Sequence, residues 1–199
     1  LITAIKNDPC DRVKEVQREI DFITSRESIT GVLLDHLAAG RLIERVTHND
    51  TKLNNVMIDE QTDEAVCVID LDTVMPGLAL YDFGDLIRGA TSPVAEDEPD
   101  ASKVEMRLPM FEAIVEGYLE TAANFLTPLE IDLLPFSAKL ISLETGIRFL
   151  TDHLEGDKYF RVHRDNHNLD RCRTQLALVK SIEDQEGEML TFVKKWHRS

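Results

Sequence analysis

Between Val46 and Asp72 the chain carries the residue types that phosphoryl transfer needs, at the spacing it needs. The run Val46-Thr47-His48-Asn49-Asp50-Thr51-Lys52-Leu53-Asn54-Asn55 holds an H-x-D, and Asn55 follows its Asp by five residues. Fifteen residues after Asn55, the apolar stretch Val68-Ile69 ends in Asp70, with Asp72 two positions on. An attacking hydroxyl must lose its proton, and an aligned carboxylate can take it. A metal bridging the phosphates asks for hard oxygen ligands, which an amide and a carboxylate supply. In the protein-kinase scheme the loop Asp is the base, while a loop Asn and a later Asp hold magnesium. On this spacing Asp50 is the candidate base and Asn55 and Asp70 are the candidate ligands of Mg2+. Asp72 reads as a second metal ligand, as a substrate-orienting group, or as a solvated carboxylate at a strand end.

These residues all fall where loop meets strand, so the neighbouring elements must converge them. Arg45-Val46-Thr47 reads as a short extended piece. Asn55–Ile58 and Ala65–Ile69 read as two strands of a hairpin, joined by the polar turn Asp59–Glu64. Pro76-Gly77 marks a further turn, and Tyr81 to about Gly89 reads as helix. Upstream, Val13, Val16, Ile20 and Ile23 recur at helical spacing and predict a helix over 11–26. A second is expected over 27–39, ended by Gly40. Downstream, Ser102 with Glu105 and Thr127 with Glu130 have the pattern of capping boxes. They predict helices over about 103–125 and 128–154. A last helix is expected from about 169 towards 196, capped by Asn168. The expected class is α+β, a mostly helical body carrying a small hairpin.

Composition narrows the partners. The 199 residues include 22 Lys and Arg against 37 Asp and Glu, a formal charge of −15. That balance argues against a nucleic-acid surface, which needs basic stripes, and against docking on anionic lipid. No apolar run approaches the roughly 20 residues that span a bilayer. Three dispersed cysteines, Cys10, Cys67 and Cys172, form no CxxC pair and point to a reducing, cytoplasmic location rather than a disulfide framework.

The loop H-N-D-T-K-L-N-N and the strand V-I-D-L-D together resemble the signature segments of the aminoglycoside phosphotransferase and choline kinase-like superfamily. These are small-molecule kinases that share the protein-kinase fold. The longer runs VTHNDTKLNNVMID and VIDLDTVMPGLALYDFGD look most like the N-acetylhexosamine 1-kinases, as do the segments Arg148–His153 and Asp157–Phe160. The resemblance implies transfer from ATP, with Mg2+, to the anomeric hydroxyl of an N-acetylhexosamine. It implies that Lys52 offsets phosphoryl charge, against the plainer reading of a surface lysine. It implies that Arg148, Asp152 and Tyr159 hold the sugar; the alternative is an i,i+4 ion pair between 148 and 152, with Tyr159 as packing. His48 is expected to fix the loop backbone. Asp82 and Asp85 are expected to cap the following helix or to accept bonds from catalytic-loop amides.

The chain has no glycine-rich phosphate loop, since its nine glycines are scattered and no G-x-G occurs. The expectation is a C-terminal kinase lobe over 1–199, partnered by an ATP-binding lobe that this chain lacks. His163-Arg164-Asp165 spells the kinase H-R-D but is followed by Asp170 where Asn belongs, and reads as surface or substrate-side. Asp82-Phe83-Gly84 spells D-F-G but opens a helix. His163 and His167, with Asp165, lack an obvious further zinc ligand. The acidic run Glu96-Asp97-Glu98 reads as a solvated loop. Rival substrates are choline, homoserine or an aminoglycoside. A non-catalytic kinase-like binding module is the rival of another class.

Overall fold

The computed structural model describes residues 1–198. The N-terminal segment is more broken than its periodicity predicts. It runs α1 (Ile2–Asn7), a 3-10 turn (Val13–Glu15), α2 (Gln17–Thr24), a second 3-10 turn (Glu27–Ile29) and α3 (Val32–Ala38). The expected helix over 11–26 is interrupted at Val16, whose backbone leaves the helical region at φ −120°, ψ 24°. Its side chain is fully buried, so tertiary packing overrides local propensity there. Gly40 does end α3: at φ +67° its N–H reaches Leu37 O, and Arg41 N–H reaches His36 O, a Schellman closure.

The strands follow. β1 (Arg45–Thr47) pairs antiparallel with β4 (Met75–Gly77), a pairing the sequence reading did not anticipate. Between them, β2 (Val56–Ile58) and β3 (Ala65–Val68) form the expected hairpin. Its turn is fixed by Asp59, whose carboxylate accepts from Gln61 N (2.8 Å) and Thr62 N (3.0 Å). The outward side chains of these strands are strongly apolar. Val46, Met57, Ile58, Val66, Val68 and Met75 are each more than half exposed.

The helical body begins with α4 (Ala79–Ala90), close to expectation. The Ser102–Glu105 box does not form. Asp100 caps a 3-10 turn (Ala101–Lys103) instead, and α5 starts at Leu108 (Leu108–Ala122). Pro109 explains the delay, because proline sits in a first helical turn and discourages helix before it. The Thr127–Glu130 box is present in full, but its helix α6 (Pro128–Asp132) stops early. Pro135 lacks the N–H a continuous helix would use, and the chain restarts as α7 (Leu134–Glu155). The last helix, α8 (His167–Val193), begins one turn or less upstream of expectation, with Asn166 at its N-cap. It passes into a 3-10 turn over Lys194–Arg198. Asn168 is therefore no cap; it lies buried inside the helix.

Two apolar clusters hold this body. One gathers Phe83, Ile87, Phe111, Val115, Leu119 and Ile182. The other gathers Val16, Ile20, Leu143, Leu150, Leu169 and Val179. Helices α7 and α8 contribute to both, so they form the spine that α4 packs against. The class is α+β and mostly helical, as expected, with two two-stranded sheets where one hairpin was expected. No described helix is long and apolar enough to cross a membrane.

Helix α4 meets α7 at Gly84. A Cβ there would lie 2.5 Å from Ser137 O and 2.6 Å from Ile141 Cγ1. Gly84→Ala is expected to destabilise the fold by about 1–3 kcal/mol through overpacking. Urea denaturation of the two proteins measures the difference.

Candidate functional site

The loop between β1 and the hairpin is shaped by Asp82, in the first turn of α4. Its two carboxylate oxygens accept from His48 N (2.8 Å) and Asn49 N (2.7 Å). This is one of the two alternatives the sequence left for Asp82. Thr51 Oγ1 donates to Asp82 O (2.6 Å), which ties the far side of the loop to the same turn. Thr73 Oγ1 donates to His48 O (2.6 Å), and Asn49 Nδ2 donates to Thr73 O (3.1 Å). His48 Nε2 lies 3.1 Å from Ile69 O, so its ring braces the loop against the end of the hairpin. Gly77 makes the close approach possible, since a Cβ there would stand 2.5 Å from Thr47 Oγ1. Asn49 and Asp70 both take left-handed backbone, at φ 63° and 61°. Non-glycine residues in that region cost energy and cluster at functional sites.

This frame presents Asp50. Lys52 Nζ lies 2.8 Å from Asp50 Oδ2, and Asn55 Nδ2 donates to the same oxygen (2.9 Å) and to Asp50 O (2.8 Å). Partial burial alone would push the Asp50 carboxyl up. The hydrogen bonds from Lys52 and Asn55 outweigh it and hold the group below the usual aspartate range. The same bond raises Lys52 above the ordinary lysine value, with Asp70 and Asp85 adding to the field. Ile69 N–H donates to Asn55 O (2.9 Å), so Asp70 is the next residue after the partner of Asn55. Asp72 follows in an exposed 3-10 turn (Leu71–Thr73). Asp50, Lys52, Asn55 and Asp70 therefore gather at one end of the hairpin, with Asp72 beside them. No three His, Cys, Asp or Glu side chains cluster as a metal centre among the described residues.

Asp50 and Lys52 form one end of a cleft of about 880 Å³. The cleft runs between α4 and α7 to Phe160, Arg161 and Arg171. The family model described as the phosphotransferase enzyme family matches residues 8–120, more than half of the chain. The chain belongs to that family.

A phosphotransferase of this small-molecule kinase family uses ATP as co-substrate, and the match spans Asp50, Asn55, Asp70 and Asp82. The other expected residues are distributed unevenly. Arg148 lines the cleft, with its guanidinium 5.5 Å from the Phe160 ring centre and 6.0 Å from that of Tyr159. Tyr159 itself is 76% exposed and stands outside the cleft lining. Asp152 is not available to a sugar. It is 4% exposed, and its carboxylate accepts from the N–H groups of Lys158, Tyr159 and Phe160 and from Asn168 Nδ2. It fixes the loop that carries the aromatic pair. The predicted Arg148–Asp152 ion pair is likewise absent, because Arg148 turns instead to Glu144 at 3.8 Å.

Asp85 neither caps α4 nor holds the loop. It pairs with Arg88 (2.7 Å), which also binds Glu96 (2.6 Å), and all three line the cleft. The acidic run is thus no freely solvated loop. Glu96 is pinned to Arg88, and Asp97 Oδ2 lies 2.9 Å from His167 Nε2. His163 N–H donates to His167 Nδ1 (3.1 Å), so the second histidine has both nitrogens engaged. Glu144, Arg88, Glu96 and Arg171 are cleft residues that the sequence reading missed. Only the i,i+4 spacing of Glu144 and Arg148 offered a signal.

Two outcomes follow. Lys52→Met removes the cation that helps hold Asp50 down, so the Asp50 carboxyl is expected to titrate at a higher pH than in the wild type. A carbon-13 titration of the Asp50 carboxyl reads it directly. Asp152→Ala strands three backbone N–H groups and is expected to cost about 3 kcal/mol or more in urea unfolding.

Proposed function

We propose that this phosphotransferase moves the terminal phosphoryl group of ATP to the anomeric hydroxyl of an N-acetylhexosamine. The observation that carries the reading is the Lys52–Asp50–Asn55 cluster at the end of a half-open cleft whose mostly apolar walls carry several charged side chains. Asp50 takes the proton of the attacking hydroxyl. Its carboxyl sits below the usual range, so it is ionised and ready to accept at neutral pH. Lys52, within reach of Asp50, then meets the negative charge that builds on the phosphoryl oxygens.

The donor set suits magnesium. Asn55 spends its Nδ2 on Asp50, which turns its amide oxygen to the opposite side. That oxygen with the carboxylates of Asp70 and Asp72 makes a hard, all-oxygen group. When bound, the ion neutralises phosphate charge. Arg148, beside the Tyr159 and Phe160 rings, offers donors to the sugar from the facing wall.

The reading extends to the architecture. Residues 1–199 act as the C-terminal lobe of a kinase-like enzyme, and an ATP-binding lobe of the same protein covers the apolar strands β2 and β3. The enzyme works in the cytoplasm, which keeps Cys10 and Cys67, both exposed, as thiols. The cleft is a poorer match for choline. A quaternary ammonium prefers an aromatic cage, whereas Arg148, Arg161 and Arg171 line this cleft.

The test uses the protein together with its ATP-binding lobe, ATP, Mg2+ and N-acetylglucosamine. Phosphorus NMR is expected to show a sugar 1-phosphate, with choline left unchanged. Asp50→Asn is expected to lower kcat by at least about a hundredfold with little change in KM. Turnover of choline but not of the sugar would keep the base and discard the substrate. No turnover of either would favour a binding module.

A further inference from the structure

The charged side chains of the cleft differ in how fully they are engaged. Asp50 is bonded to Lys52, and Asp85 and Glu96 are both bonded to Arg88. Arg171 donates to Arg161 O (3.2 Å) and Asn168 Oδ1 (3.3 Å), and its guanidinium lies 5.5 Å from the Phe149 ring centre. Glu144 and Arg148 are ion-paired to each other without such hydrogen bonds, although the Arg148 guanidinium also lies over the Phe160 and Tyr159 rings. Their separation of 3.8 Å is an ion-pair contact but too long for a hydrogen bond. No hydrogen bond to either side chain is made among the described residues. Each is about half exposed, at 51% and 49%, and both line the cleft. They are one helical turn apart on α7, on the face that packs towards α4. Burial pushes the Glu144 carboxyl up, against the pull of Arg148 and Arg88.

We propose that Glu144, paired with Arg148, is a specificity-determining residue that binds a second hydroxyl of a neutral polyhydroxy acceptor. This deepens the sugar-kinase reading and rests on it. The hydroxyl donates to the Glu144 carboxylate and accepts from the Arg148 guanidinium, so both unspent partners are used at once. A hydroxyl suits the couple better than an ion does. An ammonium is drawn by Glu144 and repelled by Arg148, and a carboxylate meets the reverse. The couple lies on the helical wall of the cleft, on α7 rather than on the loop that carries Asp50. It therefore fixes which hydroxyl faces Asp50 without touching the transferred phosphoryl group.

Binding is measured on the whole protein without nucleotide, by ligand-observed NMR. The ligands are N-acetylglucosamine and a panel of its monodeoxy analogues. The wild type is expected to bind one analogue about tenfold more weakly than the parent sugar. Glu144→Ala is expected to bind the parent as weakly as that analogue and to stop discriminating between the two. Glu144→Gln, which keeps one acceptor oxygen, is expected to fall between. Because Glu144 is half exposed, the substitutions leave the core packing in place, which circular dichroism checks. Wild-type affinity for the parent in Glu144→Ala overturns the inference. So does undiminished discrimination against the same analogue. Either result leaves the sugar-kinase reading standing if turnover persists. Failure of the wild type to bind any sugar of the panel overturns both.

Discussion

The two bonds from the amides of His48 and Asn49 to one carboxylate are the constraint on which the site depends. A loop that must turn sharply exposes backbone donors, and buried donors need acceptors. Asp82 meets two of them from the first turn of α4, where a helix also favours negative charge. The left-handed turn at Asn49 is tolerable because the carboxylate holds its own amide and the one before it. The direction of Asp50 is thereby set by a helix, and that helix is set against α7 by the missing side chain at Gly84. A chain of contacts links the packing of two helices to the aim of one carboxylate.

The electrostatics of Asp50 show opposing effects of similar size. Burial pushes its proton affinity up, and the hydrogen bonds from Lys52 and Asn55 together outweigh it. In the proposed reaction a carboxylate whose proton affinity is lowered is a weak base, so its use lies in position more than in basicity. The arrangement suits a reaction in which the hydroxyl proton leaves late, after the phosphoryl group has begun to transfer.

The sequence carried the Asp50 end of the cleft better than the wall formed by α7. His48, Asp50, Asn55, Asp70 and Asp82 lie within a short stretch where spacing implies proximity, and the hairpin brings them together as read. The α+β class and the Thr127–Glu130 box were legible for the same local reasons. The cleft wall was not. Glu144, Glu96 and Arg171 come from three distant segments joined by the packing of α7 and α8, by the clip from Glu96 to Arg88 and by contacts of the acidic loop with α8, such as Asp97 to His167. Asp152 was misread because its polar partners are the amides of a later loop, which no spacing rule reveals. The helix breaks at Val16 and Leu133 arose from core packing and from a proline whose missing donor outweighed a favourable apolar pattern.

The outward face of the β2–β3 hairpin has a colloidal consequence. Strands with apolar side chains and open edges are templates for association with other strands. Here they sit on a chain with a formal charge of −15, spread over a surface rich in Asp and Glu. Mutual repulsion between such chains keeps the sticky strands apart in dilute salt. That protection works over a Debye length of only about 10 Å at 0.1 M ionic strength. The acidity of this chain, idle as far as chemistry is concerned, thus acts as a spacer whose reach is set by the surrounding salt.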